Sequence, residues 1–428
     1  MSLTVPRRST YDAGVDAALW PDIAALPPGG LRAKIGRSLF ERLAAKLDLR
    51  ILLPTGRNIG GGGPAAPEMR LERPGALYRR LGHGGLIGFG EAYMAGDWTA
   101  EDLPLVLTVF CRRMATLVPP PLQRLRDVAV HRHPHSEKGT AENARRNISR
   151  HYDLSNDLFT LFLDETMTYS AAIFPTDVAD RPHADEAQLA AAQTRKIDRL
   201  LDLAGVGPGT RLLETGTGWG GLAIAAARRG ADVHTVTLSV NQCEEARRRA
   251  GQACVADRVR VELCDYRDIR PTAAGGYDAI VSAEMLEGVG HEFWPDYFAT
   301  LDRLLAPGGR VAIQTITMRH DDMLATRAKD TWIHRYIFPG GLIPSVPAIQ
   351  AACRRTCLRV QQVGSYGPHY AATLRLWRER FDRHADEVAA LGFDRAFQRT
   401  WHLYLAYCEA GFSANYLDLE HLLLDRAP

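Results

Sequence analysis

Apolar residues recur at two different periods along this chain, and the period changes near Thr194. Upstream, Ile35, Leu39, Leu43 and Leu47 fall four apart, which predicts an amphipathic helix over residues 31–49. The glycine run from Gly60 to Gly63 predicts a loop over 58–67. Segments 69–81 and 84–98 mix short apolar runs with glycine, which predicts short strands joined by tight turns. A helix is expected over 103–117, broken by Pro119, Pro120 and Pro121. Downstream, β-branched runs at 211–214, 233–238, 259–263, 279–282 and 310–317 alternate with helical patterns such as 222–229 and 241–250. That alternation predicts an α/β fold with a doubly wound, mainly parallel sheet covered on both faces.

Composition narrows what such a chain can be. With 46% hydrophobic and 24% charged residues in a length of 428, it can bury a real core and is not a disordered chain. The 52 Lys and Arg against 50 Asp and Glu leave a net charge of +2, too small for a general nucleic-acid coat. The basic stretch holding Arg124, Arg126, Arg132, Lys138, Arg145, Arg146 and Arg150 reads either as a docking surface for anionic lipid headgroups or as a solvated linker. His131, His133 and His135 alternate within it but have no cysteine or carboxylate partners nearby, so no metal site is expected. Seven cysteines, an odd number without a CxxC pair, predict free thiols in a reducing cytoplasm. No apolar run reaches the ~20 residues that cross a bilayer, and no signal peptide is visible at the start. The chain divides into an expected amino-terminal module over 1–130 and a larger domain over 140–428.

The strongest chemical signal is Glu214-Thr215-Gly216-Thr217-Gly218-Trp219-Gly220-Gly221, at the turn from the first strand of the larger domain into a helix. Glycines there let a ligand lie against bare main chain. The spacing differs from the dinucleotide G-x-G-x-x-G, and the acidic Glu214 suits a cationic ligand, so S-adenosylmethionine fits better than a dinucleotide.

That string resembles the cyclopropane-fatty-acyl-phospholipid synthase and mycolic-acid methyltransferase family, together with Thr237-Leu238-Ser239-Val240-Asn241-Gln242. So do the run from His151 to Phe159, Met167-Thr168-Tyr169-Ser170, Glu287-Gly288-Val289-Gly290, the run from Tyr336 to Gly341 and Gly367-Pro368-His369-Tyr370, all in the family's order. The run from Phe89 to Trp98 resembles the smaller amino-terminal domain of the phospholipid-acting members. The resemblance implies a Rossmann-like class I methyltransferase domain preceded by a smaller, lipid-associated α+β domain. It places Tyr169, Ser170, Gly216, Gly218 and Gly220 at the cofactor, Thr237 and Gln242 near its ribose, and Tyr266 near its adenine.

It also implies the reaction: an electrophilic methyl group is added to the cis double bond of an unsaturated acyl chain in phospholipid, and a proton then leaves. In the family a bicarbonate serves as base, held by a glutamate, a histidine, a tyrosine and a cysteine position. Glu287 and Tyr370 match two of these, while Gln314 stands where the histidine is expected and Ala171 where the cysteine is expected. Glutamine cannot relay a proton as imidazole does, so bicarbonate binding and ring formation are both left open. The run from Gln314 to Met318 with Met323 to Arg327 is similar to the actinobacterial branch that makes mid-chain methyl-branched (tuberculostearic-type) acids, which favours a methylene-branched product over a cyclopropane. Trp332, Tyr336, Phe338, Tyr366 and Trp377 are candidates to line the acyl site, and His291 is a candidate second polar group beside Glu287. The resemblance further implies a homodimer, a separate reductase to saturate the branch, and a cytoplasmic protein peripheral to the inner membrane face. A soluble small-molecule or acyl-carrier-protein substrate, or a lipid-binding protein without catalysis, are the alternatives. Nucleic acid is not an expected partner.

Overall fold

The computed structural model describes residues 14–117, 155–176, 182–271, 275–327 and 329–426. The lead before Gly14, the basic stretch with its three histidines, and His151 to Leu154 therefore lie outside the described residues. The chain forms two compact units, 1–118 with 392–404, and 119–391 with 405–428. Residues 392–404 thus belong to the first unit, although the sequence reading assigned them to the larger domain.

The first unit has a three-stranded sheet, β1 (Arg50–Leu52), β2 (Glu68–Leu71) and β3 (Trp98–Ala100), with β1 parallel and β3 antiparallel to β2. Two sequence expectations fail here. Residues 74–94 were expected as strands and turns, but they form a helical segment, Pro74–Met94, interrupted at Gly85 where φ is 55°. Its glycines serve close approach. A Cβ on Gly82 would stand 2.3 Å from the Arg32 carbonyl oxygen, and one on Gly36 would stand 2.8 Å from that of Tyr78. The second concerns the helix Leu31–Ala44, which buries Gly36, Phe40 and Ala44; of the expected stripe, Leu47 just past its end is buried and Leu43 half-buried, but the first two members are not. Leu31, Ile35 and Leu39 are exposed at 73%, 49% and 44%.

The second unit carries a seven-stranded sheet. Its strands are β4 (Arg211–Thr215), β5 (Asp232–Thr237), β6 (Val259–Leu263), β7 (Tyr277–Ala283), β8 (Leu305–Met318), β9 (Leu358–Ser365) and β10 (Leu417–Arg426). Their order is β6-β5-β4-β7-β8-β10-β9, parallel from β6 to β8 and antiparallel at both β10 pairings. The expected parallel α/β sheet is present. β10 was not anticipated: six of its ten residues are buried, and that leaves no alternation to read. Leu212, Ala279, Val281 and Ala312 pack on one face with the helices Leu189–Leu203 and Gly221–Arg228, while Leu213, Ile280, Val311 and Ile313 pack on the other with Trp294–Leu304. Both faces are therefore largely apolar, and a ligand's polar groups are met at the carboxyl ends of the parallel strands.

Candidate active site

The sheet order reverses between β4 and β7, the position at which an open α/β sheet leaves a ligand crevice beyond its carboxyl ends. Each parallel strand delivers something there. The glycine turn follows β4, Thr237 ends β5, Tyr266 follows β6, Glu284 and Glu287 follow β7, and Gln314 lies late in β8.

Gly216, Gly218 and Gly220 have φ of 93°, 52° and 85°, the left-handed region that a side chain resists. A Cβ on Gly220 would also sit 3.1 Å from that of Ala246. The turn is tied to the segment before it: the Trp219 indole donates to Asn156 Oδ1 at 2.8 Å, and Arg249 donates to the carbonyls of Thr166 and Trp219 at 2.9 and 3.1 Å. Glu214 is buried under the turn and accepts from Thr235 Oγ1 at 2.6 Å; burial pushes its carboxyl up to about 8. Thr237 Oγ1 donates to Gln242 Oε1 at 2.9 Å, and Ser239 caps the helix Val240–Gln252 by accepting from the Gln242 amide. The buried Tyr266 hydroxyl has no hydrogen-bond partner. A bare-backbone turn, a buried acid and an unsatisfied phenol fit a ligand with a cation at one end and a hydrogen-bonding heterocycle at the other.

A second cluster centres on a residue the sequence reading did not single out. Glu284 Oε1 accepts from the Ala171 amide at 2.9 Å and from Gln314 Nε2 at 2.7 Å, and Tyr370 donates its hydroxyl to Oε2. Glu284 adopts φ 51°, one of four non-glycine residues with positive φ among the described residues. Strain of this kind persists where surrounding structure enforces it, and it gathers at functional sites. Burial raises the Glu284 pKa, and Tyr370, the Ala171 amide, Lys196 and Gln314 act against that rise. Glu287 lies beside it but makes different bonds: Oε1 accepts from Thr315 Oγ1 at 3.0 Å and from the Ile316 amide at 2.5 Å, while Oε2 is buried without a partner. Burial, and next the Glu284 charge, push its carboxyl up to about 8. Gln314 and Tyr370 thus meet on Glu284, not on Glu287.

Tyr169 packs its ring against Phe159 and Trp377, each at 5.2 Å between centroids. Ser170 accepts from Lys196 Nζ at 2.5 Å, and Gln193 donates to the carbonyls of Thr168 and Ser170 at 3.2 and 2.8 Å. Gln193 and Lys196 stand three apart on the helix Leu189–Leu203, so a single face of it fixes the 168–170 strap. Their spacing was a readable signal that went unused. The Tyr366 ring lies tilted against His421 at 4.7 Å between centroids, Trp332 lies 5.8 Å from Tyr336, and Tyr370 packs on Phe412 at 4.6 Å. His291 pairs with its neighbour Glu292 at 3.1 Å, and its side chain is 38% exposed.

Residues 140–422 match the model of the mycolic acid cyclopropane synthetase family. The chain belongs to that family. It is 51% identical to the tuberculostearic acid methyltransferase UfaA1 of Mycobacterium tuberculosis over 428 residues, 99% of each chain. It is 31% identical to the cyclopropane-fatty-acyl-phospholipid synthase of Escherichia coli over 390 residues, 88% of this chain and 92% of that one. Among solved structures, the mycolic acid cyclopropane synthase CmaA1 complexed with SAH and CTAB aligns with a TM-score of 0.56 at 31% identity, covering 68% of this chain and 98% of that one. Like its family, the chain has the class I fold of S-adenosylmethionine-dependent methyltransferases, and S-adenosylmethionine is its cofactor class.

The buried Glu214 yields a prediction about the ligand-free protein. Burial pushes its carboxyl from the ordinary 4.5 up to about 8, so the fold favours the protonated form. Its contribution is complete below the unfolded value and is lost as pH climbs through the folded one. Thermal denaturation at about pH 5 and about pH 7.5 should show a smaller loss of Tm in Glu214→Gln than in the wild type. Equal losses would place no raised carboxyl at this position.

Proposed function

We propose that this chain transfers the methyl group of S-adenosylmethionine to the double bond of an oleoyl-type acyl chain in phospholipid and gives a mid-chain methylene-branched fatty acid. The observation that carries this reading is the Glu284 carboxylate held by the Ala171 amide, Gln314 and Tyr370. The name and 51% identity of UfaA1 support the branched product.

Tyr169, Ser170, Glu214, Gly216, Gly218, Gly220, Thr237, Gln242 and Tyr266 would hold S-adenosylmethionine, which when bound supplies an electrophilic methyl group. In either outcome one proton leaves the delivered methyl carbon: directly, as that carbon closes on the neighbouring cationic centre, for a ring; or, for the methylene branch proposed here, after a hydride shifts from the methylated carbon to that centre. The cluster offers an acceptor for it. A carboxylate has about four lone-pair sites. Three donors engage Glu284, two on Oε1 and one on Oε2, so Oε2 keeps a site for that proton. Fixed donors favour the charged base without reorganising during the reaction. Burial raises both carboxyls, but Glu284 has Tyr370, the Ala171 amide, Lys196 and Gln314 opposing the rise, whereas Glu287 is pushed up further by the Glu284 charge, so the base reading takes Glu284 as the charged member of the pair.

In this reading the base comes with the chain. Glu284 collects the donors from Gln314, Tyr370 and the Ala171 amide, the positions at which the family resemblance would seat bicarbonate. Aromatic faces at Tyr169, Trp377 and Phe412 pack near the Tyr370 end and keep water from a developing cation. Incubation with labelled methyl donor and oleoyl phospholipid vesicles, followed by mass spectrometry, should give an unsaturated methylene branch, its saturation being left to a separate reductase. Glu284→Gln should cut turnover by about 10²- to 10⁴-fold while binding S-adenosylhomocysteine as the wild type does. A cyclopropane product would reject the branch, and near-normal turnover in Glu284→Gln would remove it as the base.

Membrane association is part of the same reading, with the protein peripheral to the inner face, running as a homodimer, its first unit the lipid-associated module and its second the catalytic domain. No described helix is long and apolar enough to cross a membrane. The exposed Leu31, Ile35 and Leu39 are interleaved with exposed Arg32, Lys34 and Arg42, and the one acid of that helix, Glu41, is paired with Arg37 at 3.0 Å. An apolar row within basic residues fits an anionic bilayer surface. Changing Leu31, Ile35 and Leu39 together to serine should lower sedimentation with anionic vesicles about tenfold, while turnover on detergent-dispersed substrate stays near normal. Unchanged vesicle binding would put the contact elsewhere.

A further inference from the structure

Gln314 matters to the base only if its amide is turned the right way, and that orientation is fixed by a residue the mechanism has not yet used. His421 lies on β10, directly opposite Gln314 in the antiparallel register, and both are fully buried. His421 Nε2 and Gln314 Oε1 are 2.8 Å apart. We propose that His421 is the positioning residue for the base: as a neutral imidazole with its proton on Nε2, it locks the Gln314 amide so that the NH2 group faces Glu284. The inference rests on the reading of Glu284 as the base.

The tautomer follows from the bonding. Gln314 Nε2 stands 2.7 Å from Glu284 Oε1 and 3.4 Å from the Ala171 carbonyl; a carbonyl can only accept, and so can Glu284 in the ionised form that the base reading requires. That end of the side chain is therefore the amide nitrogen, and Oε1 faces His421. A carbonyl oxygen also only accepts, so Nε2 of His421 must carry hydrogen and donate. His421 Nδ1 is buried with no partner, so a second proton there would have nothing to bond. Burial, and next the positive charges of Arg199 and Lys196, push the imidazole down to about 3, which keeps it neutral. The Tyr366 ring, tilted at 53° with its centroid 4.7 Å away, holds the imidazole in place.

Without the His421 donor, Gln314 Oε1 is left buried and unpaired, or the amide rotates and sets its oxygen against the Glu284 carboxylate. Either result removes a hydrogen bond that favours the charged base. Glu284 faces Lys196, Tyr370, Gln314 and the Glu287 carboxyl, so losing the Gln314 donor raises its pKa further.

The test compares methyl transfer to oleoyl phospholipid vesicles across pH for wild type, His421→Leu, His421→Gln, Gln314→Leu and the double variant His421→Leu/Gln314→Leu. His421→Leu should lower kcat about tenfold or more, leave both KM values within about twofold, and move the acid limb of the kcat profile to higher pH. His421→Gln can place an N–H at the same point and should return kcat and the acid limb together. In the Gln314→Leu background, His421→Leu should change neither. Wild-type kcat and acid limb in His421→Leu, or the same loss in both backgrounds, would overturn the proposal. A readout that needs no destabilised variant is the ¹⁵N spectrum of histidine-labelled wild type, with His421 assigned by its disappearance in His421→Gln. A neutral Nε2–H ring at about pH 6 is expected, and an Nδ1–H tautomer or an imidazolium would overturn the assignment. Wild-type turnover is read in the same assay, so an enzyme that methylates no alkene would count against the base reading and not against the His421 lock.

Discussion

The site depends on one constraint: a carboxylate with no access to water stays charged only if fixed donors replace the water it has lost. Glu284 meets that condition with the Ala171 amide, Gln314, Tyr370 and the nearby Lys196. Glu287, three residues on, has two donors on one oxygen, none on the other, and a charged neighbour. In the proposed reaction, this different supply of donors makes one of two chemically identical groups the base and leaves the other protonated. The sheet topology makes this possible, since β7, β8 and β10 lie side by side and bring Glu284, Gln314 and His421 into one layer.

The supports are distributed along the chain in a way that explains why distant segments matter. The 168–170 strap supplies the Ala171 amide because Gln193 and Lys196 grip it from the helix Leu189–Leu203. Tyr370 reaches Glu284 from the helix Gly367–Arg383, whose first residue is anchored by Asp418 accepting from the Gly367 amide at 2.9 Å. The positive φ of Glu284 is the strained point of the assembly, held by its own amide donating to the Gln314 carbonyl at 2.8 Å.

Much of this was legible in the sequence, and the unread part has identifiable causes. The glycine turn declares itself because backbone strain and ligand approach both demand glycine, and the parallel strands declare themselves by alternating with helices. The segment 74–94 misled because glycines that permit close packing look the same in sequence as glycines that make turns; the Gly82 approach to Arg32 is a tertiary fact. The stripe of Ile35 and Leu39 has the period of a buried face, yet Gly36 and Phe40 are the ones inside, because Gly36 allows close approach to the Tyr78 backbone and Phe40 packs against the Tyr78 ring. Glu284 escaped notice because Glu287 matched the expected motif, and nothing in the one-dimensional pattern reveals which of two acids three residues apart collects the donors. The exchange at Gln314 was visible, but its answer, His421, lies 107 residues away and meets it only through the β8–β10 register.

The central claim is that the base is built into the chain, and bicarbonate dependence tests it directly. Methyl transfer would be measured in buffer purged of carbon dioxide, then again with bicarbonate added back at constant pH and ionic strength. The account predicts the same turnover in both. A rate that collapses on purging and returns with added bicarbonate would show that an exchangeable anion, and not the Glu284 carboxylate, removes the proton.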